Sequence, residues 1–121
     1  MFMIIIEKNV NKKIPYEVNG TKITFDDMLT IDLKRYQKDE ERVIDISLDE
    51  DDILQMGLGK WYIANIIIPP REYEFVNNSI DTLDEKEESI DKISKPLDME
   101  KVILTLWALP NDYGIYSEGD F

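Results

Sequence analysis

Any chemistry in this chain would have to run on carboxylates, because Asp and Glu together number 26 while histidine and cysteine are both absent. Without imidazole no side chain titrates near neutrality by default, and no Ser-His-Asp or Cys-His arrangement can be built. The usual transition-metal ligands are missing as well, so neither a metal nor a cofactor is expected. What remains is carboxylate-pair chemistry of the glycosidase kind. So many acids in 121 residues form close pairs by chance, and no pair sits among aromatic residues at an obvious strand end. The residue types argue against an enzyme.

Three local patterns invite sharper readings. Asp49, Glu50, Asp51 and Asp52 suggest a calcium loop, which needs carboxylates at its first, third and fifth positions, glycine at the sixth and glutamate at the twelfth. Counting from Asp49, those last three positions hold Ile53, Leu54 and Lys60, so a solvated acidic turn is the better account. Gly57-Leu58-Gly59-Lys60 superficially resembles a phosphate loop. Its upstream glycine position holds Leu54, however, and Trp61 stands where Ser or Thr should follow the lysine. That is a tight turn before a strand. The sequons at Asn19 and Asn77 carry no weight without a secretory signal.

Aromatic residues offer a different kind of site. Tyr113, Tyr116 and Phe121 punctuate an otherwise polar tail. Two readings stand side by side: they fold back over an open edge of the core, or they dock on a neighbouring subunit, where aromatic anchors dominate. Ile80 and Leu83, within a charged excursion at 77–96, join them as candidate interface residues.

These residues must be held by β-structure. Ile14–Phe25 reads as a hairpin turning at Asn19-Gly20, with Val18 facing Thr21, Glu17 facing Lys22, Tyr16 facing Ile23 and Ile14 facing Phe25. Met1–Lys8 reads as a first strand. Thr30–Lys34 and Val43–Leu48 alternate and are expected to pair as a second hairpin across 36–42. Asp49–Gln55 suggests a helical turn capped by Asp49 or Asp51. Trp61–Ile68 and Val102–Trp107 are apolar on both faces, the signature of central strands covered on both sides. In Trp61–Ile68 simple alternation sends Trp61, Ile63 and Ile67 one way and Tyr62, Ala64, Ile66 and Ile68 the other. Pro69-Pro70 ends that strand. For 77–96, a helix with a Thr82…Glu85 capping box competes with an extended hairpin pairing Glu72–Val76 with Glu88–Ser94. The hairpin is preferred because NNS opens the segment and KP closes it.

The net charge is −12, concentrated in two stretches. Residues 37–52 carry eight acids against two bases, and 77–100 carry eight against three. A chain lacking a basic surface has no means of holding nucleic acid by counterion release. The apolar run near the start, in MFMIIIEK, is too short for a bilayer and lacks a signal-peptide layout, so a soluble product made in the cytoplasm is expected, with no membrane insertion. Lysine outnumbers arginine 11 to 3 and isoleucine occurs 18 times, which suggests a low-GC bacterial or phage genome.

The second half resembles one family of small proteins. Tyr62-Ile63-Ala64, then Ile68-Pro69-Pro70-Arg71-Glu72-Tyr73-Glu74, Pro96-Leu97-Asp98 and Val102-Ile103-Leu104-Thr105-Leu106-Trp107 look like accessory proteins encoded among the tail genes of phages. Similar proteins occur in phage-tail-like bacteriocins of low-GC Gram-positive bacteria. In them a strand ends at a double proline, a variable charged loop follows, and a proline-leucine-aspartate segment leads into the last strand. The resemblance spans about residues 60–109 and brings no catalytic or ligand residues with it. It implies a structural or assembly role in a tail or baseplate.

The expected fold is mainly β: a small antiparallel sandwich or partly open barrel of seven to eight strands with at most one short helix. Residues 1–110 would form one domain and 111–121 the tail. The expected function is a non-enzymatic component of a phage tail or tail-like particle, contacting other protein subunits and incorporated into the virion. The alternatives are an acidic DNA mimic that inhibits a nucleic-acid-binding host protein, and a small enzyme. A mimic needs its carboxylates along one rigid face, whereas here they cluster in expected loops.

Overall fold

The computed structural model describes residues 3–82 and 85–113, with the side chains of 77–90 outside that description. The chain is mainly β. Its strands are β1 (Ile4–Glu7), β2 (Tyr16–Asn19), β3 (Lys22–Phe25), β4 (Leu29–Asp32), β5 (Arg42–Leu48), β6 (Leu54–Met56), β7 (Trp61–Ile68), β8 (Tyr73–Thr82), β9 (Glu85–Ser94) and β10 (Ile103–Leu106). Helical structure among the described residues is limited to two 3-10 turns, Leu33–Arg35 and Met99–Lys101. Five strands form one sheet in the order β1-β10-β7-β5-β6, three form a second in the order β2-β3-β4, and β8-β9 is a separate hairpin. The count reaches ten, not seven or eight, and β1 pairs with β10 in parallel although every other pairing is antiparallel.

One apolar core joins the two larger sheets. It draws on Ile14, Ile23, Phe25, Ile31 and Leu33 from the first third, and on Ile44, Ile46, Leu48, Ile63, Ile66 and Ile68 from the middle. Leu97, Met99, Val102, Leu104, Leu106 and Leu109 complete it. Asp98 positions the approach to β10: its carboxylate accepts the Glu100 N–H at 3.0 Å, which caps the second 3-10 turn and buries Leu97 and Met99 on either side.

Several sequence expectations need correction. The hairpin forms, but its turn lies at Gly20-Thr21, so Asn19 faces Lys22, Val18 faces Ile23, Glu17 faces Thr24 and Tyr16 faces Phe25. Only Gly20 takes a positive φ there, +63°, the position a type II′ turn reserves for glycine. Thr21 explains the shift. Its carbonyl accepts the Leu33 N–H at 2.9 Å and its hydroxyl donates to Asp32 at 2.7 Å, so the end of β4 holds it in the turn. The slip moves each partner by two residues and therefore leaves every side chain on its expected face.

The second expected hairpin does not form. β4 pairs with β3, joined by Asp26 and Asp27 at φ +49° and +55°, with the Met28 N–H bonded to the Phe25 carbonyl at 2.9 Å. That is a type I′ turn made by two aspartates, and it takes β4 away from β5. β5 pairs instead with β6 and β7. The acidic Asp49–Ile53 stretch is no helical turn but the loop of the β5–β6 hairpin. One Asp49 carboxylate oxygen accepts the Asp51 and Ile53 N–H groups at 2.8 and 3.0 Å. The excursion does form a hairpin, with Tyr73 opposite Ser94 and Thr82 opposite Glu85.

β7 is central, as its apolar run implies. Its faces are not those of simple alternation, because a bulge opposite Ile46 and Ser47 inserts one residue at Ile63. Ile63 and Ala64 are consequently both buried, while Trp61 and Tyr62 both emerge. Nor is the strand fully covered on both sides among the described residues: Asn65 and Ile67 are only half-buried.

Candidate functional site

The pairing registers place the outer face of the five-stranded sheet residue by residue. On the core side, Ile5, Leu104, Ile66 and Ile44 form one row across four strands. The neighbouring row on the opposite side is Ile4, Ile103, Ile67 and Val43, four β-branched apolar side chains abreast. Nothing in the described chain covers the ends of that row: Ile4 is 48% exposed and Val43 54%. Ile67 and Ile103 between them are half-buried. Parallel pairing of β1 onto β10 is what extends the apolar row to a fourth strand.

The next outer row is Ile6, Thr105, Asn65 and Asp45. Two of its polar members, Asn65 and Asp45, pair with each other. The Asn65 amide donates to Asp45 Oδ1 at 2.6 Å, and the Trp107 indole N–H donates to Asn65 Oδ1. Asn65 therefore has its donor and its acceptor engaged, and the polar centre orients Trp107. Beyond this row, Trp61 donates its indole N–H to the Ala108 carbonyl at 2.9 Å. Trp61, Tyr62 and Trp107, together with Asp45, Asn65 and Lys60, line a hollow of about 560 Å³. Lys60 is tied down by Asp52 at 2.7 Å, and that hydrogen bond, reinforced by the charge of the same carboxylate, raises the lysine above its ordinary pKa.

The arrangement suits contact with a surface better than turnover. It presents aliphatic side chains in a row beside two indole rings whose N–H groups already have partners, the make-up of an interface core. Among the described residues, no three His, Cys, Asp or Glu side chains are placed to hold a metal ion.

The candidate interface residues of the tail and excursion fare differently. Tyr113 packs against the chain's own core and its hydroxyl donates to Asp26 at 2.6 Å, so this ring folds back over the β3–β4 turn. Ile80 lies in β8 opposite Glu87. Leu83, Tyr116 and Phe121 lie outside the described residues. Sequence reasoning marked Trp61–Ile68 and Val102–Trp107 as two-faced, but it missed that Ile4 and Val43 complete a row with them. The missing signal was the parallel β1–β10 pairing.

Comparison with protein-family models, with curated proteins and with solved structures finds no match to this chain. Fold and site define a mainly β protein whose larger sheet carries, on the side away from the core, an apolar row that nothing among the described residues covers at its ends. No helix among the described residues is long and apolar enough to cross a membrane.

Proposed function

We propose that this protein is a non-enzymatic structural or assembly component that works through protein–protein contacts, with the outer face of its five-stranded sheet as the docking surface. The resemblance of residues 60–109 to tail-region accessory proteins supplies the setting, a phage tail or tail-like particle. The observation that carries the reading is the row Ile4–Ile103–Ile67–Val43, apolar across four strands and open to solvent at both ends. Contiguous apolar patches of this kind mark interaction sites. A partner that covers such half-exposed aliphatic side chains gains roughly 1 kcal/mol from each. The aromatic rim contributes anchors of the type that dominate interface energetics. The concentrated negative charge keeps free subunits apart until a partner is met.

The test replaces Ile4 and Val43 together by lysine and asks whether the protein still enters the particle formed by its neighbouring genes. The double variant should keep the thermal midpoint of the wild type and be lost from the particle fraction. Incorporation at the wild-type level would refute the assignment of this face.

A further inference from the structure

A separate concave region is lined by basic side chains. At the base of the β8–β9 hairpin, a cleft of about 500 Å³ is lined by Lys34, Arg71, Lys92 and Lys95 together with the hydroxyl-bearing Thr21 and Ser94. The chain carries 26 acids against 14 bases, yet among the described residues four of those bases and no carboxylate line this cleft. Three separate segments deliver the bases: the first 3-10 turn brings Lys34, the loop after Pro70 brings Arg71, and the end of β9 with the residue that follows it brings Lys92 and Lys95.

The contacts show which charges are already spent. Arg71 donates to the Gln37 carbonyl at 2.7 Å and pairs with Asp39 at 3.5 Å, and Asp39 also accepts the Tyr73 hydroxyl. Thr21 donates to Asp32, whose carboxylate also feels the charge of Lys34. Two carboxylates thus stand behind the wall against four cations in it. Lys92 lies 4.0 Å from the centroid of the Tyr73 ring, which holds its ammonium in place without neutralising it. Lys34, Lys92 and Lys95 form no salt bridge among the described residues.

Lysine ammonium groups beside a hydroxyl are the donors that phosphate oxygens take. We propose that this cleft is a binding site for a small phosphate-bearing anion, held by Lys34, Lys92 and Lys95 with the Ser94 hydroxyl at its side. The size fits a small ligand, since such sites occupy roughly 300–1,000 Å³. A nucleic acid chain is a poor fit, because the molecule as a whole, at a net charge of −12, repels a polyanion.

Calorimetric titration of the full chain with inorganic pyrophosphate, with inorganic phosphate and with citrate, at one fixed ionic strength, tests this. Saturable one-to-one binding of pyrophosphate is expected, tighter than that of phosphate or citrate. Both Lys92→Gln/Lys95→Gln and Lys34→Gln should weaken it, the double variant by at least about tenfold, since several charge-assisted contacts are lost. Lys12→Gln, outside the cleft, should bind as the wild type does. Failure to saturate with pyrophosphate, equal weakening by Lys12→Gln, or citrate binding as tightly as pyrophosphate would each overturn the proposal.

Discussion

Val43 and Ile44 are neighbours on β5 with opposite fates, and replacing each by threonine separates the two faces of the sheet. Val43 is 54% exposed in the outer row, whereas Ile44 is 4% exposed in the core. Val43→Thr keeps the β-branched shape and exchanges one methyl for a hydroxyl that water can reach, so it should cost no more than about 0.5 kcal/mol. Ile44→Thr removes a terminal methyl, worth about 1 kcal/mol of burial. It also places a hydroxyl where the facing side chains are Ile66 and the core, adding about 1–3 kcal/mol of desolvation. The expected loss for Ile44→Thr is therefore about 2–4 kcal/mol. Urea denaturation followed by far-UV circular dichroism would measure both, with unchanged m-values as the check that neither variant alters the unfolded reference. A loss of more than about 1.5 kcal/mol for Val43→Thr would mean that the outer row is covered by the chain itself, and the docking surface would then fail.

Three further outcomes follow from the turns. Gly59→Ala would bring a Cβ to 2.3 Å from Ser47 Oγ and 2.6 Å from the Leu48 carbonyl oxygen, so it should destabilise by about 1–3 kcal/mol in the same urea assay. Asp27→Gly relieves a left-handed aspartate at φ +55° in the β3–β4 turn and should stabilise by about 0.5–1 kcal/mol, read as a higher melting temperature in calorimetry. The Thr21 hydroxyl, the largest influence on Asp32, holds that carboxyl below the usual aspartate pKa. A depressed folded-state value stabilises the protein above the unfolded pKa, and that contribution vanishes as pH falls through the folded one. Thr21→Val should therefore raise the Asp32 pKa in an NMR titration and flatten the acid limb of the stability profile.

Legibility followed the range of the interaction. β7 was readable to the residue, because eight residues from Trp61 to Ile68 bounded by glycine and a double proline depend on nothing distant. The β8–β9 hairpin was readable from its flanks. A two-residue turn at Gly20 was readable, but it is a II′ turn at Gly20-Thr21 and not the I′ turn that Asn19-Gly20 suggests, since what settles it is Thr21 bonding to Asp32 and Leu33 across β4. Asp26-Asp27 gave no signal of the I′ turn that Asn-Gly announces, so β4 was assigned to the wrong partner. A bulge at Ile63 leaves no mark in an apolar run, and β1 joining β10 in parallel spans almost the whole chain. The candidate site was half legible for that reason: its two central strands were visible as apolar on both faces, and its outer two were not. The basic cleft was hidden because its cations are scattered between Lys34 and Lys95.

Hydroxyl-radical footprinting of the protein, isolated and in the particle from its native cells, tests the central claim most directly. Trp61, Tyr62 and Val43, all more than two-fifths exposed in the chain alone, should be oxidised in the isolated protein and protected in the particle. Equal oxidation in both states, or recovery of the native protein only as the free 14.2 kDa chain, would contradict it.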